Sequence, residues 1–191
     1  MLRRMVVLLL LCACSLSAQT KQSATPGFWK PLQFLIGTWE AKTQGGSAQA
    51  ASTGTYSFGF DLHDNVIARH SDKSTCKGAA DFDCDHGDLL YIYFEGPTRA
   101  LKAIYLDNEG HVIHYDVFVP APSSAVFVSE PSQPGSQYRL SYELKGATMQ
   151  GKFEIRPASQ SEFKTYLEWS GEKKLPSEPS PKPASEPSPK H

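Results

Sequence analysis

The stretch Trp29-Lys-Pro-Leu-Gln-Phe-Leu-Ile-Gly37-Thr38-Trp39-Glu40 decides how the rest of this 191-residue chain is interpreted. Residues 29–35 are the only segment whose apolar pattern predicts a helix, and that helix is short. Gly37 follows directly, and glycine tolerates the backbone angles that turn a chain sharply from a helix into a strand. The stretch therefore predicts one short N-terminal helix that leads into the first strand of a β domain.

The chain between residues 26 and 174 alternates apolar and polar side chains, which is typical of strands with one buried face. Turn signals such as Gly96-Pro97 and Lys145-Gly146 separate the alternating segments. About ten strands are predicted, at residues 36–43, 52–60, 65–74, 88–95, 99–107, 111–119, 124–130, 136–145, 148–157 and 162–172. This pattern predicts an all-β fold, a closed antiparallel up-and-down β-barrel, because closure removes exposed edge strands.

The Gly37-Thr38-Trp39 sequence and the helix before it resemble the opening of calycin-like β-barrels. This group contains lipocalins, fatty-acid-binding proteins and nitrobindin-like proteins. The resemblance covers residues 29–40 and implies that Trp39 fills the closed end of the barrel, where a large flat ring fits the taper. It also implies an interior that holds a small hydrophobic ligand. A count of about ten strands favours the fatty-acid-binding or nitrobindin type over the eight-stranded lipocalin.

Strand parity selects aromatic side chains that we expect to face this interior. The candidates for ligand binding are Tyr91, Tyr93, Tyr105, Tyr115, Tyr138, Tyr142, Phe153 and Phe163. The tyrosine hydroxyls would offer hydrogen bonds to a ligand, whereas the alternative is that these rings only fill the core. Nitrobindin-like barrels hold haem through a histidine late in the sequence, and this chain has no histidine from Tyr115 to Lys190. Haem binding of the nitrobindin type is therefore not expected, and no other cofactor or metal is predicted.

Both ends of the chain are predicted to lie outside the barrel. Residues 1–18 combine two arginines, a short apolar run and small residues, which is the pattern of a secretory signal peptide. The run is too short to cross a bilayer, which requires ~20 apolar residues. We expect export, either by cleavage after Ala18 or as a lipoprotein anchored through Cys14, to the periplasm, the outer membrane or the medium. Residues 175–191 repeat Ser-Glu-Pro-Ser-Pro-Lys and are predicted to be a disordered tail.

Cys76 and Cys84 are the two cysteines of the predicted mature chain. An exported protein meets an oxidising compartment, so one disulfide between them is expected. The alternative is a cysteine-based metal site, although the spacing matches no common zinc pattern. The aspartate-rich segment 81–88 is interpreted as part of a long hairpin loop near one end of the barrel.

Charge and motifs exclude several classes of function. The formal net charge is −1, so no basic excess is available to bind nucleic acid. The sequence carries no nucleophile elbow, phosphate loop or dinucleotide fingerprint. The favoured function is an exported barrel that binds a small hydrophobic ligand. Two alternatives stay open: an envelope or extracellular interaction protein with the barrel as scaffold, and an enzyme or haem or metal protein that acts inside the barrel.

Overall fold

The computed structural model describes residues 26–48, 51–71, 75–77, 85–131 and 135–175. These residues form one 3-10 helix, Gly27–Leu35, followed by eleven β-strands. The strands are β1 (Gly37–Gly45), β2 (Ala51–Asp61), β3 (Val66–Ser71), β4 (Thr75–Lys77), β5 (Asp88–Glu95), β6 (Ala100–Asp107), β7 (Val112–Ala121), β8 (Ser124–Ser129), β9 (Gln137–Lys145), β10 (Thr148–Arg156) and β11 (Lys164–Lys173). The predicted signal peptide with Cys14, residue Cys84 and residues 176–191 of the predicted tail lie outside the described residues.

The strands close into a barrel through antiparallel pairs. Pairing runs from β2 to β3, then to β5 and in chain order to β11, and β1 joins β11 to β2. Ten strands therefore form the up-and-down barrel that the alternating sequence predicts. The strand expected at residues 65–74 corresponds to β3, Val66–Ser71, in its described part, and a further short strand, β4, pairs with residues 51–53. Cys76 lies in β4, and its disulfide with Cys84 stays a prediction.

The 3-10 helix seals one end of the barrel. Trp29 and Leu35 are fully buried, and the Trp29 indole donates a 2.8 Å hydrogen bond to the carbonyl oxygen of Asp64 in the β2–β3 turn. Gly37 adopts a φ of 129°, a backbone conformation that favours glycine. The buried Trp39 indole donates a 2.8 Å hydrogen bond to the Leu35 carbonyl oxygen. The predicted helix, sharp turn and first strand are thus confirmed.

The opposite end of the barrel, called here the loop end, contains the connections at residues 85–87, 108–111 and 157–163. The tight turns at residues 62–65, 96–99 and 146–147 lie at the helix end, because successive strands run in opposite directions. Residues that begin β5 or finish β6 are therefore close to the loop end. No helix among the described residues has the length and apolarity needed to cross a bilayer.

A β-bulge in β11 changes which side chains face the interior. Pairing with β10 passes from Leu167 directly to Thr165, so Tyr166 is an extra residue and the alternation of faces shifts there. Phe163 consequently lies on the outer face, where its ring centre is 4.2 Å from the guanidinium carbon of Arg139. The prediction that Phe163 faces the interior is wrong, because strict parity was carried through the bulge.

Candidate functional site

Five polar side chains from five different strands meet inside the barrel. They are called here the interior polar cluster, and they are Tyr56, Arg69, Asp88, Tyr142 and Trp169. Arg69 follows the fully buried Ile67 by two residues, and Asp88 precedes the fully buried Leu90 by two. Side chains two apart on a strand share a face, so both charged residues point into the barrel.

Arg69 and Asp88 form the ionic part of this cluster. Arg69 Nη1 donates a hydrogen bond to Asp88 Oδ1, and the two side chains are only 10% and 12% exposed. The Arg69 guanidinium carbon also lies 5.0 Å from the ring centre of Tyr56, within the range of a cation–π contact. Burial, the largest single effect, works to lower the pKa of Arg69, but Asp88 together with the neighbouring tyrosines outweighs it and holds the pKa above its ordinary value. Arg69 is therefore a permanent buried cation.

Four buried polar atoms of the interior polar cluster have no hydrogen-bond partner among the described residues. They are Tyr56 Oη, Arg69 Nε, Tyr142 Oη and Trp169 Nε1. Buried polar atoms in folded proteins nearly always have a hydrogen-bond partner, so several unpartnered atoms in one place require an explanation. They are donors and acceptors that the described protein groups leave unsatisfied.

The two tyrosine hydroxyls of the cluster stay protonated. Burial raises the pKa of both Tyr56 and Tyr142, while the charge of Arg69 works in the opposite direction. The Trp169 indole N–H approaches the Tyr56 hydroxyl and also opposes the rise in its pKa, but the geometry falls short of a hydrogen bond. Each hydroxyl is therefore able either to donate or to accept a hydrogen bond.

Aromatic rings surround the polar cluster. The Tyr142 ring centre lies 5.3 Å from that of Phe58, 6.1 Å from that of Phe127 and 5.8 Å from that of Trp169, with steep interplanar angles. Edge-to-face packing of this kind stabilises an apolar core. Trp169 also packs against the backbone of Gly151, where an added Cβ would lie 2.0 Å from the indole. The interior thus combines an apolar wall with a few directed polar groups.

The structure places most of the predicted ligand-binding residues in or against this core. Those that pack there are Tyr105, Tyr115, Tyr138, Tyr142 and Phe153; their contact with a ligand stays a prediction. Tyr91 and Tyr93 instead alternate with the fully buried Leu90 and Ile92, so they lie on the outer face. The prediction that these two face the interior is wrong, because β5 is apolar on both faces and its alternation is ambiguous.

Sequence reasoning did not select the two charged residues of the cluster. The sequence pattern places Asp88 at the end of the acidic loop, although it shares the parity of the buried β5 residues Leu90 and Ile92. Arg69 shares the parity of Ile67 in β3. A charged residue at a position that otherwise carries apolar side chains indicates a buried charge. Such a charge is buried only when it is paired, so this feature could have identified both residues. Tyr56 and Trp169 gave no comparable signal, since aromatic residues at inward positions usually only fill the core.

A second group of polar side chains lies at the loop end and is called here the rim cluster. Its members are His86, Tyr105, Asp107, Glu109 and His111. His86 Nδ1 lies 2.7 Å from Glu109 Oε1, and His86 Nε2 lies 2.8 Å from the Tyr105 hydroxyl oxygen. The Glu109 carboxylate can only accept a hydrogen bond, so the proton of the neutral ring lies on Nδ1. Nε2 then accepts a hydrogen bond from the Tyr105 hydroxyl. The His86 ring thus links Glu109 to the Tyr105 hydroxyl.

Asp107 anchors the turn that carries the rim cluster. Its Oδ1 accepts hydrogen bonds from the backbone N–H of His111 at 2.8 Å and of Glu109 at 3.1 Å. The Asp107 side chain is only 3% exposed. Burial works to raise the pKa of this carboxyl, but the backbone and ring hydrogen bonds of His111 outweigh it and hold the pKa below its ordinary value.

The Asp107→Asn variant is expected to abolish part of the acid sensitivity of the fold. A carboxyl with a depressed pKa stabilises the folded state above its unfolded pKa of ~3.9 and loses that contribution as pH falls through the folded value. Urea unfolding of both proteins from neutral to acid pH should therefore show a stability advantage of the native protein that shrinks with acidity. A difference that stays constant across this range would mean that Asp107 has the same pKa folded and unfolded.

No protein-family model matches the chain, and no curated protein matches it in sequence. The closed ten-strand barrel and its N-terminal helix are compatible with the calycin-like fold that residues 29–40 resemble. In the described part of the chain, no group of three or more His, Cys, Asp or Glu side chains is placed to hold a metal ion. The function is therefore argued from the interior polar cluster and its surroundings.

Proposed function

We propose that this protein binds a small, largely apolar ligand inside the barrel and that the interior polar cluster receives one polar group of that ligand. The observation that carries the proposal is the convergence of four unpartnered polar atoms from Tyr56, Arg69, Tyr142 and Trp169. A buried polar atom without a partner costs ~1–3 kcal/mol, so a core built only for stability would avoid four of them. Departures of this kind are expected at functional sites.

The surroundings of the cluster support a ligand that is mainly apolar. Phe58, Phe127 and Leu90 are buried around it, and Tyr115 adds a further ring 6.2 Å from Phe127. Ligand sites in proteins are usually apolar cavities with a few polar groups that fix orientation. The polar cluster would then select among apolar molecules, because a ligand that lacks the matching group leaves the buried atoms unpaired.

The proposal includes export and membership of the calycin-like group. Export is supported by the arginines, apolar run and small residues of 1–18. Membership is supported by the Gly37-Thr38-Trp39 opening together with the closed barrel. Mass spectrometry of the mature protein tests export: a chain that begins at Gln19 or a lipid on Cys14 would support it, and an intact Met1 would contradict it.

Naphthalene probes that differ in one substituent test the proposed ligand site. The full chain is titrated with naphthalene, naphthol, naphthyl methyl ketone and naphthoate. Binding is followed by calorimetry and by tryptophan fluorescence, to which Trp169 of the cluster contributes. At least one substituted probe is expected to bind about tenfold more tightly than naphthalene, because its polar group gains hydrogen bonds from the cluster. Failure of all four probes to bind would contradict the proposed function.

The Tyr142→Phe variant is expected to weaken binding without weakening the fold. The Tyr142 hydroxyl has no partner in the described structure, so its removal should leave the free energy of unfolding unchanged or raise it by up to ~1 kcal/mol. The affinity for the tightest-binding probe should fall by about five- to tenfold. Tyr91→Phe removes a hydroxyl from the outer face and serves as the matched control. Equal affinities of the two variants would argue against a role of Tyr142 in binding.

A further inference from the structure

We infer that the group received by the interior polar cluster is a neutral hydrogen-bond acceptor, such as the carbonyl oxygen of a ketone, rather than a carboxylate. The inference rests on the proposed function, since it names the chemistry of the ligand at that same site. It follows from three observations: the charge balance of the interior, the donors that it leaves free and the charge of the rim.

The charge of Arg69 is already cancelled by that of Asp88. Arg69 is the only Arg or Lys side chain among the described residues that counts as buried, and it is paired with Asp88. Glu154 and Asp107 are also largely buried carboxylates: Glu154 pairs with Arg139 on the outer face, and Asp107 accepts hydrogen bonds from His111 at the rim. A ligand carboxylate at the cluster would therefore add an uncompensated negative charge close to Asp88. Burial of an unpaired charge is strongly unfavourable.

The unpartnered atoms nevertheless require an acceptor. Arg69 Nε and Trp169 Nε1 carry N–H groups that only donate, and neither has a partner among the described residues. The hydroxyls of Tyr56 and Tyr142 donate or accept as needed. A carbonyl oxygen has two lone pairs and can accept from two of these donors at once. It can satisfy the N–H groups of Arg69 and Trp169, and it leaves the net charge of the cluster at zero.

The rim cluster reinforces the same choice. It contains the carboxylates of Asp107 and Glu109, and it contains no lysine or arginine. His86 is held by Glu109, and His111 by Asp107, so the imidazoles are already engaged with these carboxylates. A ligand that enters from the loop end passes this acidic rim, which repels an anion and leaves a neutral molecule unaffected.

The decisive comparison is between a ketone and a carboxylate of the same size. Naphthyl methyl ketone is expected to bind the full native chain at least about tenfold more tightly than naphthoate near neutral pH. The smaller pair acetophenone and benzoate controls for the size of the interior, and it should show the same order. A bound ketone labelled with ¹³C at the carbonyl should show an infrared band at lower frequency than in an aprotic solvent, because it accepts hydrogen bonds.

The Asp88→Asn variant should reverse this preference. It removes the negative charge that neutralises Arg69 and keeps a side chain of the same shape, so the carboxylate should become the tighter ligand of each pair. If that variant does not fold, the infrared band of the ketone on the native protein still tests the assignment. Tighter binding of naphthoate or benzoate by the native protein would overturn this inference while the binding function stands. Failure of every probe to bind would instead overturn the binding function.

Discussion

Replacement of Asp88 by alanine is expected to lower the free energy of unfolding by about 3–5 kcal/mol, measured by urea denaturation. The substitution leaves Arg69 buried without its carboxylate partner. Arginine does not escape this cost by losing its proton, because its pKa is too high. The protein must therefore bury an unpaired cation or open the barrel to hydrate it, and both lower stability. The ligand site should be lost at the same time, since Asp88 fixes the direction of the guanidinium.

A surface ion pair provides the matched control. Asp116 pairs with Lys102 across β6 and β7 at 2.7 Å, but its side chain is 43% exposed. Asp116→Ala should leave the urea midpoint almost unchanged, because water replaces the lost partner. An Asp88→Ala effect no larger than that of Asp116→Ala would mean that Arg69 is already hydrated and that the interior is not closed.

The double variant Arg69→Met, Asp88→Leu distinguishes two effects on the free energy of unfolding. One is the destabilisation by an unpaired buried Arg69, and the other is the net contribution of the intact ion pair. It removes both charges and fills their volume with apolar atoms, so it should be more stable than Asp88→Ala. A double-mutant cycle with the corresponding single variants then measures the coupling between the two side chains. We expect the pair to contribute little net stability, which would agree with its retention for binding.

The barrel was predictable because its local signals agree with its global topology. Alternation in the segment 136–145 and the glycine at position 146 specify a strand and a tight turn, and the structure has β9 at Gln137–Lys145 followed by a turn with Gly146 at a φ of 63°. Repetition of this pattern along the chain leaves closure as the simplest way to remove edges. The same reasoning does not locate irregularities. The bulge at Tyr166 leaves no mark in the polarity pattern, and it reversed the predicted orientation of Phe163.

The candidate site was less predictable than the barrel because it depends on departures from the pattern. Tyr115 and Tyr142 followed from parity, since β7 and β9 each have one polar face. Arg69 and Asp88 are charged residues at apolar positions, and sequence alone does not show that they lie beside each other. Their pairing depends on the register between β3 and β5, which is set across a connection of sixteen residues, 72–87.

Replacement of Gly151 by alanine is expected to lower the free energy of unfolding by about 2–3 kcal/mol through overpacking of the core. The ideal Cβ at this position would lie 2.0 Å from Cε2 of the Trp169 indole, so the rigid ring must move. It has little room to do so, because the Tyr142 ring packs against it with the centres 5.8 Å apart. The displaced indole also takes its N–H away from the interior polar cluster. Affinity for the naphthyl probes should therefore fall together with stability.

Gly59→Ala is the matched control for this substitution. Gly59 also lies within a strand, β2, but a Cβ there would meet no atom within 4 Å. Its effect on stability should stay within about 0.5 kcal/mol. A second variant, Gly151→Ala with Trp169→Phe, provides a smaller ring and should recover part of the stability lost by Gly151→Ala alone, without recovering binding. A Gly151→Ala protein as stable as Gly59→Ala, with unchanged tryptophan emission, would show that the indole does not pack against residue 151. The indole N–H would then lie outside the interior polar cluster, and the donors available to a ligand would be reduced to those of Arg69 and the two tyrosines.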